Sequence, residues 1–293
     1  MKISPPEVPL GGECFMENSN MGKEDFIMML KPNVINLHLG LEKPVRILQL
    51  TDVHLSLSDE RNKEDMIPYA AGRRDVFFRE AEFPERDPIG YLQDAMEYSK
   101  GFDCTVITGD LVDFNTYKNY DVAKELLAGK DYMFCAGNHE FTPKPGTDSM
   151  ELKRGSWDYI QSHFRGNMHI ESRIVGGVNI ICADNGFRLW TKEQLAVLKA
   201  EAARGLPMLV FCHVPIANDM LTLEGKDNAR KLGYTEEEIA ESVATAQYLV
   251  DEPLVKAFFA GHGHHNHYWD FHGKPSYMIG GLFKGIVGEI TID

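Results

Sequence analysis

The chain has 293 residues, 43% of them apolar and 25% charged. A chain of that size buries roughly 75% of its unfolded surface, so the composition excludes wholesale disorder. Without a run of ~18 uninterrupted apolar residues it also excludes a membrane-spanning helix. Thirty Lys and Arg against 44 Asp and Glu leave a formal charge of −14, which argues against nucleic acid as a partner, because such binding runs on cations meeting phosphates. Bound metal ions reverse such a field locally without appearing in the count, so the acidity does not speak against a phosphate-bearing ligand.

Residues 1–40 open with Pro5, Pro6, Pro9, Gly11 and Gly12 and read as an irregular tail, with VINLHL at 34–39 as an edge strand. The opening MKISPPEVPLGGE has no apolar stretch behind its single early Lys, so a cytoplasmic location is expected. From residue 45, short β-branched runs recur: VRILQL, CTVIT (104–108), YMFCA (132–136), VNIICA (178–183), MLVFC (208–212) and AFFA (257–260). Between them, 89–100, 119–128, 191–204 and 235–250 carry apolar residues at helical spacing. This alternation predicts an α/β fold. The last 27 residues switch to short strands split by glycines and read as antiparallel strands closing a sheet. Four of the five cysteines, Cys104, Cys135, Cys182 and Cys212, fall inside apolar runs, which predicts buried free thiols in a reducing compartment.

The expected organisation is one catalytic domain over 41–293 with insertions at about 56–90, 141–170 and 214–250. The first insertion carries Arg61, Arg73, Arg74, Arg79 and Arg86 among many acids. A solvated, salt-linked face is the simpler reading of it. A lid whose guanidinium forks bind phosphate is the other.

The polar residues that matter collect in five places. After ILQL stand Asp52 and His54; after CTVIT, Gly109, Asp110 and Asp113; after YMFCA, Gly137, Asn138, His139 and Glu140; after MLVFC, His213; after AFFA, Gly261, His262, Gly263 and His264. Each lies just past the carboxyl end of a strand-like run, where α/β sheets build their ligand sites. The donors are oxygen and nitrogen with no thiolate, a set that suits Zn, Mn, Fe, Co or Ni. Seven candidate ligands are too many for one tetrahedral ion and about right for two ions sharing a carboxylate. Taken singly, Asp52, Asp110 and Asn138 are also ordinary turn and cap residues.

The ordered set Asp-x-His, Gly-Asp-x-x-Asp, Gly-Asn-His-Glu, lone His and Gly-His-x-His resembles the calcineurin-like metallophosphoesterase superfamily over about residues 45–290. That resemblance implies a four-layer sandwich: two mixed β-sheets packed face to face with helices outside. It implies one metal on Asp52, His54, Asp110 and His264, and a second on Asp110, Asn138, His213 and His262. The pair would be divalent or mixed-valence transition ions. It implies attack on a phosphate ester by a metal-bridging hydroxide, with His139 as the general acid, Asp113 orienting it and Glu140 in support.

The expected partner is then a small phosphorylated substrate (monoester, diester or pyrophosphate) rather than nucleic acid or a membrane. Two other readings stand beside this one: a catalytically inactive, metal-stabilised binding scaffold, and a nuclease on the same fold. The protein Ser/Thr phosphatase branch is disfavoured, because Phe114-Asn115 and Phe141-Thr142-Pro143 stand where that branch has Arg-Gly and a following Arg. His265 and His267 follow His264 closely enough to compete for its place. No feature of the sequence sets an oligomeric state.

Overall fold

The computed structural model describes residues 29–81, 86–216 and 223–293. Cys14 and the tail expected before residue 29 lie outside these. Strands β1 (Lys31–Leu37), β2 (Val45–Leu50), β3 (Cys104–Thr108), β4 (Met133–Cys135) and β11 (Ile286–Ile292) form one sheet in the order β1-β11-β2-β3-β4. Strands β5 (Ile170–Val175), β6 (Val178–Ala183), β7 (Met208–Phe211), β8 (Val255–Ala260), β9 (His267–Phe271) and β10 (Lys274–Met278) form a second, ordered β5-β6-β7-β8-β10-β9. Both sheets are mixed. β2, β3 and β4 run parallel, as do β6, β7, β8 and β10, while β11 against β2 and β9 against β10 are antiparallel.

The layering follows from strand alternation. Ile47, Val106 and Cys135 of the first sheet meet Ile180, Cys182, Leu209, Phe211 and Phe259 of the second in one buried layer. Their neighbours Leu48, Leu50, Ile107 and Phe134 point the other way, onto helices α2 (Pro88–Tyr98) and α3 (Tyr117–Leu126) through Tyr91, Leu92, Tyr120 and Ala123. On the far side, Ile181, Val210 and Phe258 pack against Leu198 of α5 (Lys192–Ala202) and Leu249 of α7 (Glu236–Asp251). The result is helix, sheet, sheet, helix. Threonines start these helices: Thr191 and Thr235 each complete a capping box, with Gln194 and Glu238.

The expected edge strand is present as β1, at the rim of the first sheet. The C-terminal strands depart from the expectation. β9 and β10 form an antiparallel hairpin on the second sheet, but β10 joins it by pairing parallel to β8. β11 then crosses to the first sheet, antiparallel to β2 and parallel to β1. Alternation along one strand shows which side chains share a face; it does not choose between two sheets with equally apolar inner faces. The three long intervals also carry helices: α1 (Met66–Glu80), α4 (Met150–Gln161), and α6 (Leu223–Leu232) with α7. Cys104, Cys135, Cys182 and Cys212 are free and buried. Among the described residues no helix is long and apolar enough to cross a membrane.

Candidate metal centre

The five polar loops come together at the carboxyl ends of the parallel strands of both sheets. Past β2 and β3 the two chains stay side by side: Asp52 N–H donates to Gly109 O (3.1 Å), His54 N–H to Asp110 O (3.0 Å), and Asp113 N–H to Leu55 O (2.9 Å). The β4 loop is tied to them by the buried Glu140 carboxylate. It accepts N–H groups from Gly137 (2.6 Å), Asp110 (3.0 Å), Leu111 (2.7 Å) and Val112 (3.3 Å). Glu140 is therefore a brace between loops, as expected. From the second sheet, Gly261 N–H donates to His213 O (2.9 Å), joining the β7 and β8 loops.

Close approach is required here. A Cβ on Gly137 would lie 2.2 Å from Asp110 Oδ1, and one on Gly261 would lie 1.8 Å from Thr51 Oγ1. The backbone is also strained at the candidate ligands themselves. Asp52, His54, Asp110, His262 and His264 all take left-handed φ values between 50° and 71°. Non-glycine residues adopt that region rarely, and it tends to persist only where the surroundings over-determine it.

These turns aim the side chains at two foci that share Asp110. Ligand atoms of Asp52, His54, Asp110 and His264 lie within 4.8 Å of one another, and so do those of Asp110, His213 and His262. In the first focus, His54 Nε2 faces His264 Nε2 at 3.0 Å, and His264 Nε2 is 3.3 Å from Asp52 Oδ1. In the second, His213 Nε2 is 3.1 Å from Asp110 Oδ2 and 3.2 Å from His262 Nδ1. Asp110 Oδ2 also lies 3.9 Å from His54 Nε2, so one carboxylate oxygen looks toward both groups. A third cluster joins His54, Asp113 and His139.

Burial disfavours charge on all these groups, and the partners decide the outcome. At Asp52, hydrogen bonds from His264 and His54 outweigh burial and hold the carboxyl well below its usual range. Asp110 is held low against burial chiefly by His213 and His139. Asp113 is held low by Arg73, His139 and His54. Against burial, Asp113 and Asp52 lift His54 to about 10, and Asp110 lifts His213 to about 10. Burial and the neighbouring His213 depress His262 to about 4. His139 is raised by Asp110 and Asp113 in spite of burial. Burial and Asp110 push Glu140 up to about 7, over the opposing N–H donors. In the ion-free chain, protons on His54 and His213 thus supply positive charge that bound cations would supply instead.

The donor set fits metal ions on three observations. The Asn138 Oδ1 atom is buried and finds no hydrogen-bond donor among the described residues, an orphan that a cation would satisfy. His54 directs Nδ1 at the Asp113 carboxylate (3.2 Å) and His213 directs Nδ1 at Thr108 O (2.8 Å), which turns each Nε2 inward. That pattern of carboxylate or carbonyl behind the imidazole is the usual one for ligating histidines. No cysteine stands in either focus, which leaves a nitrogen and oxygen set.

His139 stands at the rim, its side chain 16% exposed, with Nε2 3.9 Å from Asp110 Oδ2. Asp113 holds the ring mainly through its backbone: Nδ1–H donates to Asp113 O at 2.7 Å, while the carboxylate is 3.2 Å away. The carboxylate itself is gripped by Arg73, a partner that the salt-linked reading of the 56–90 insertion did not place here. His265 and His267 do not compete for His264's place. Both are exposed, and His265 turns back onto Gly263 O (2.6 Å).

Two further residues escaped the sequence reading. Asn185 receives the N–H groups of His213 (3.0 Å) and Val214 (2.9 Å) and donates to Val214 O (2.7 Å), fixing the β7 loop. Its signal was available, since Asp184-Asn185 also stands just past a buried strand. Phe77 stacks on the His54 ring (4.5 Å between centroids, 16°), and nothing in its spacing marked it.

A profile of the calcineurin-like phosphoesterase family matches residues 45–266. A search of curated proteins returns no significant match. Among solved structures, the chain is similar to a purple acid phosphatase from yellow lupin (Lupinus luteus) seeds, with TM-score 0.51 and 16% identity over 84% of this chain. That alignment spans 45% of the lupin protein, so the chain covers under half of its length, and the likeness is one of fold. It also aligns with a dimetal phosphatase from Danio rerio (TM-score 0.46, 14% identity, 82% of this chain and 88% of that one). A third alignment is with a calcineurin-like phosphoesterase from Bacillus subtilis (0.42, 13%, 82% and 82%).

Proposed function

The chain belongs to the calcineurin-like phosphoesterase family, and from that premise we propose that it hydrolyses a phosphate ester bond of a small substrate with two metal ions. The observation that carries this reading is the pair of ligand clusters sharing Asp110, with the orphaned Asn138 Oδ1 close by in sequence to the His139 that rims them. Asp52, His54, Asp110 and His264 would hold one ion; Asp110, Asn138, His213 and His262 would hold the other. Mn, Fe, Zn, Co and Ni all suit this set. Bound there, such ions offset charge on phosphoryl oxygens and lower the pKa of water to about 7. On the same reading, 41–293 acts as one catalytic domain, and the three insertions shape its substrate mouth.

The chain's own part is to place the acid. His139 has Nδ1 committed to Asp113 O, so Nε2 is the nitrogen left to face a leaving group. Its raised pKa favours the imidazolium, which can give that proton to a departing alkoxide. Asp110 accepts the His139 N–H (3.0 Å) on the oxygen opposite the one that faces both clusters, so acid and shared ligand are set in one register. A nuclease is less well supported. In the 56–90 segment, Arg61, Arg73 and Arg86, three of its five arginines, each sit on carboxylates, which takes their charge from any basic channel.

The test is a screen of chain reconstituted with Mn(II) against a monoester, a diester and a pyrophosphate, with elemental analysis of the same sample. Hydrolysis of one class that is lost on chelation supports the reading. Two bound ions with no hydrolysis of any class would transfer the chain to the scaffold reading.

A further inference from the structure

The 56–90 insertion reaches the candidate centre through one side chain. Arg73, in the middle of α1, sets its guanidinium fork on Asp113, with Nε to Oδ2 at 2.7 Å and Nη2 to Oδ1 at 2.8 Å. Asp113 is fully buried, and Arg73 is 28% exposed. The same carboxylate receives His54 Nδ1 at 3.2 Å and Ser56 Oγ at 3.3 Å, and it lies 3.2 Å from His139 Nδ1. Of these partners, Arg73 alone is cationic at every working pH. One helical turn later, Phe77 lies under both residues: its ring is 4.9 Å from the Arg73 guanidinium and stacks on His54. Phe283 closes the stack, 4.8 Å from Phe77 and 5.1 Å from His264. Thus α1 rests on His54 directly and on His264 only through Phe283, and Arg73 is its charged contact with Asp113.

We infer that Arg73 is a positioning residue: by clamping the Asp113 carboxylate it fixes the orientation of the His54 and His139 rings and keeps α1 seated over the first metal site. The inference deepens the proposed function and rests on it for what the two rings do. A role as a substrate-binding fork fits the geometry less well. The fork itself, Nε and Nη2, is committed to Asp113, so binding a phosphate through it would strand a fully buried carboxylate without its permanent cation, which is strongly unfavourable. A surface ion pair of no consequence fits no better, because its acidic partner is 0% exposed and touches both histidines.

The experiment compares wild type, Arg73→Gln, Arg73→Lys and Arg73→Ala as full chains, with three readouts. The first is Mn(II) affinity by calorimetry. Groups that hold a ligating histidine from behind typically contribute 10–100-fold to metal affinity or activity, so Arg73→Gln should weaken one of the two ions by about 10-fold. The second is hydrogen exchange over 66–80, which should speed up in Arg73→Gln and Arg73→Ala. The third is turnover of an alkyl phosphate ester of whichever class the wild type accepts. There kcat should fall by about 10-fold with KM nearly unchanged, and added guanidinium should restore part of it in Arg73→Ala but not raise the wild type. Arg73→Lys, which keeps the charge without the fork, should fall between wild type and Gln on every readout; it also serves if the Gln and Ala variants fail to fold.

Unchanged Mn(II) affinity and unchanged exchange in Arg73→Gln would overturn the inference. So would a raised KM with intact kcat, which belongs to a substrate fork. If the wild type hydrolyses nothing, the hydrolase reading falls, while affinity and exchange still decide the role of Arg73.

Discussion

The two candidate ligand clusters share Asp110 but are held from behind by different parts of the molecule. In the second, His213 leans on a strand-end carbonyl, Thr108 O, and its loop is pinned by Asn185. All of that support comes from strand ends and the turns just past them. In the first, His54 leans on a carboxylate, Asp113, which is gripped by Arg73 of helix α1, and the His54 ring is covered by Phe77 of the same helix. One cluster is supported from strand-end segments alone and the other also from helix α1. The comparison teaches that the first is the half that changes in α1 can reach.

The sharpest way to break the comparison is to remove what the halves share. Asp110→Ala should release both ions and lower activity by more than about 100-fold, beyond what a group behind a ligand contributes. Elemental analysis that still finds two ions per chain would contradict the bridge. Next in size, His139→Ala should keep both ions and lose about 10²–10⁴-fold of kcat on an alkyl ester, with a smaller loss on an activated aryl ester. Full turnover of the alkyl ester would remove His139 from the acid role.

A third change separates the halves directly. Asp113→Asn should weaken only the first ion, by about 10-fold, and leave the second near its wild-type affinity, as read by stepwise Mn(II) titration. Equal weakening of both would mean that the supports are not independent.

The smallest expected effect concerns pH and treats the halves alike. His54 and His213 are raised from 6.5 to about 10. A histidine with a raised folded-state pKa stabilises fully below its unfolded value and loses that contribution as pH climbs through the folded one. The metal-free chain should therefore lose Tm between pH 6.5 and about 10, while Mn(II) affinity rises over the same interval because each ion displaces a proton. Thermal melts and titrations at pH 6, 7.5 and 9 would show both trends; flat curves would mean that these imidazoles carry no proton in the empty site.

A groove of about 680 Å³ lies between α4 and α7, lined by Lys153, Trp157, His169 and Trp190, and contains none of the seven candidate ligands. Those candidate ligands stand beside tight turns where a Cβ on Gly137 or Gly261 would collide.

What the sequence determined by itself was an α/β alternation of strands and helices and the five polar turns at the strand ends. Short apolar, β-branched runs such as VRILQL and CTVIT mark strands locally, and a Gly-Asp or Gly-Asn-His step after such a run marks a tight turn locally. Even the edge strand near residue 34 was legible, because alternation needs only its own neighbours. The tertiary structure alone decided which sheet β11 joins, that His265 and His267 face away, that Asp113 meets His139 first through its carbonyl, and that Arg73 sits on Asp113. Each of these depends on a partner far along the chain, 40 residues away for Arg73 and Asp113. An arginine among acids offers several salt links of similar strength on paper. Burial of Asp113 beside two histidines makes one of them matter far more than the others, and burial is set only when the distant segments have packed.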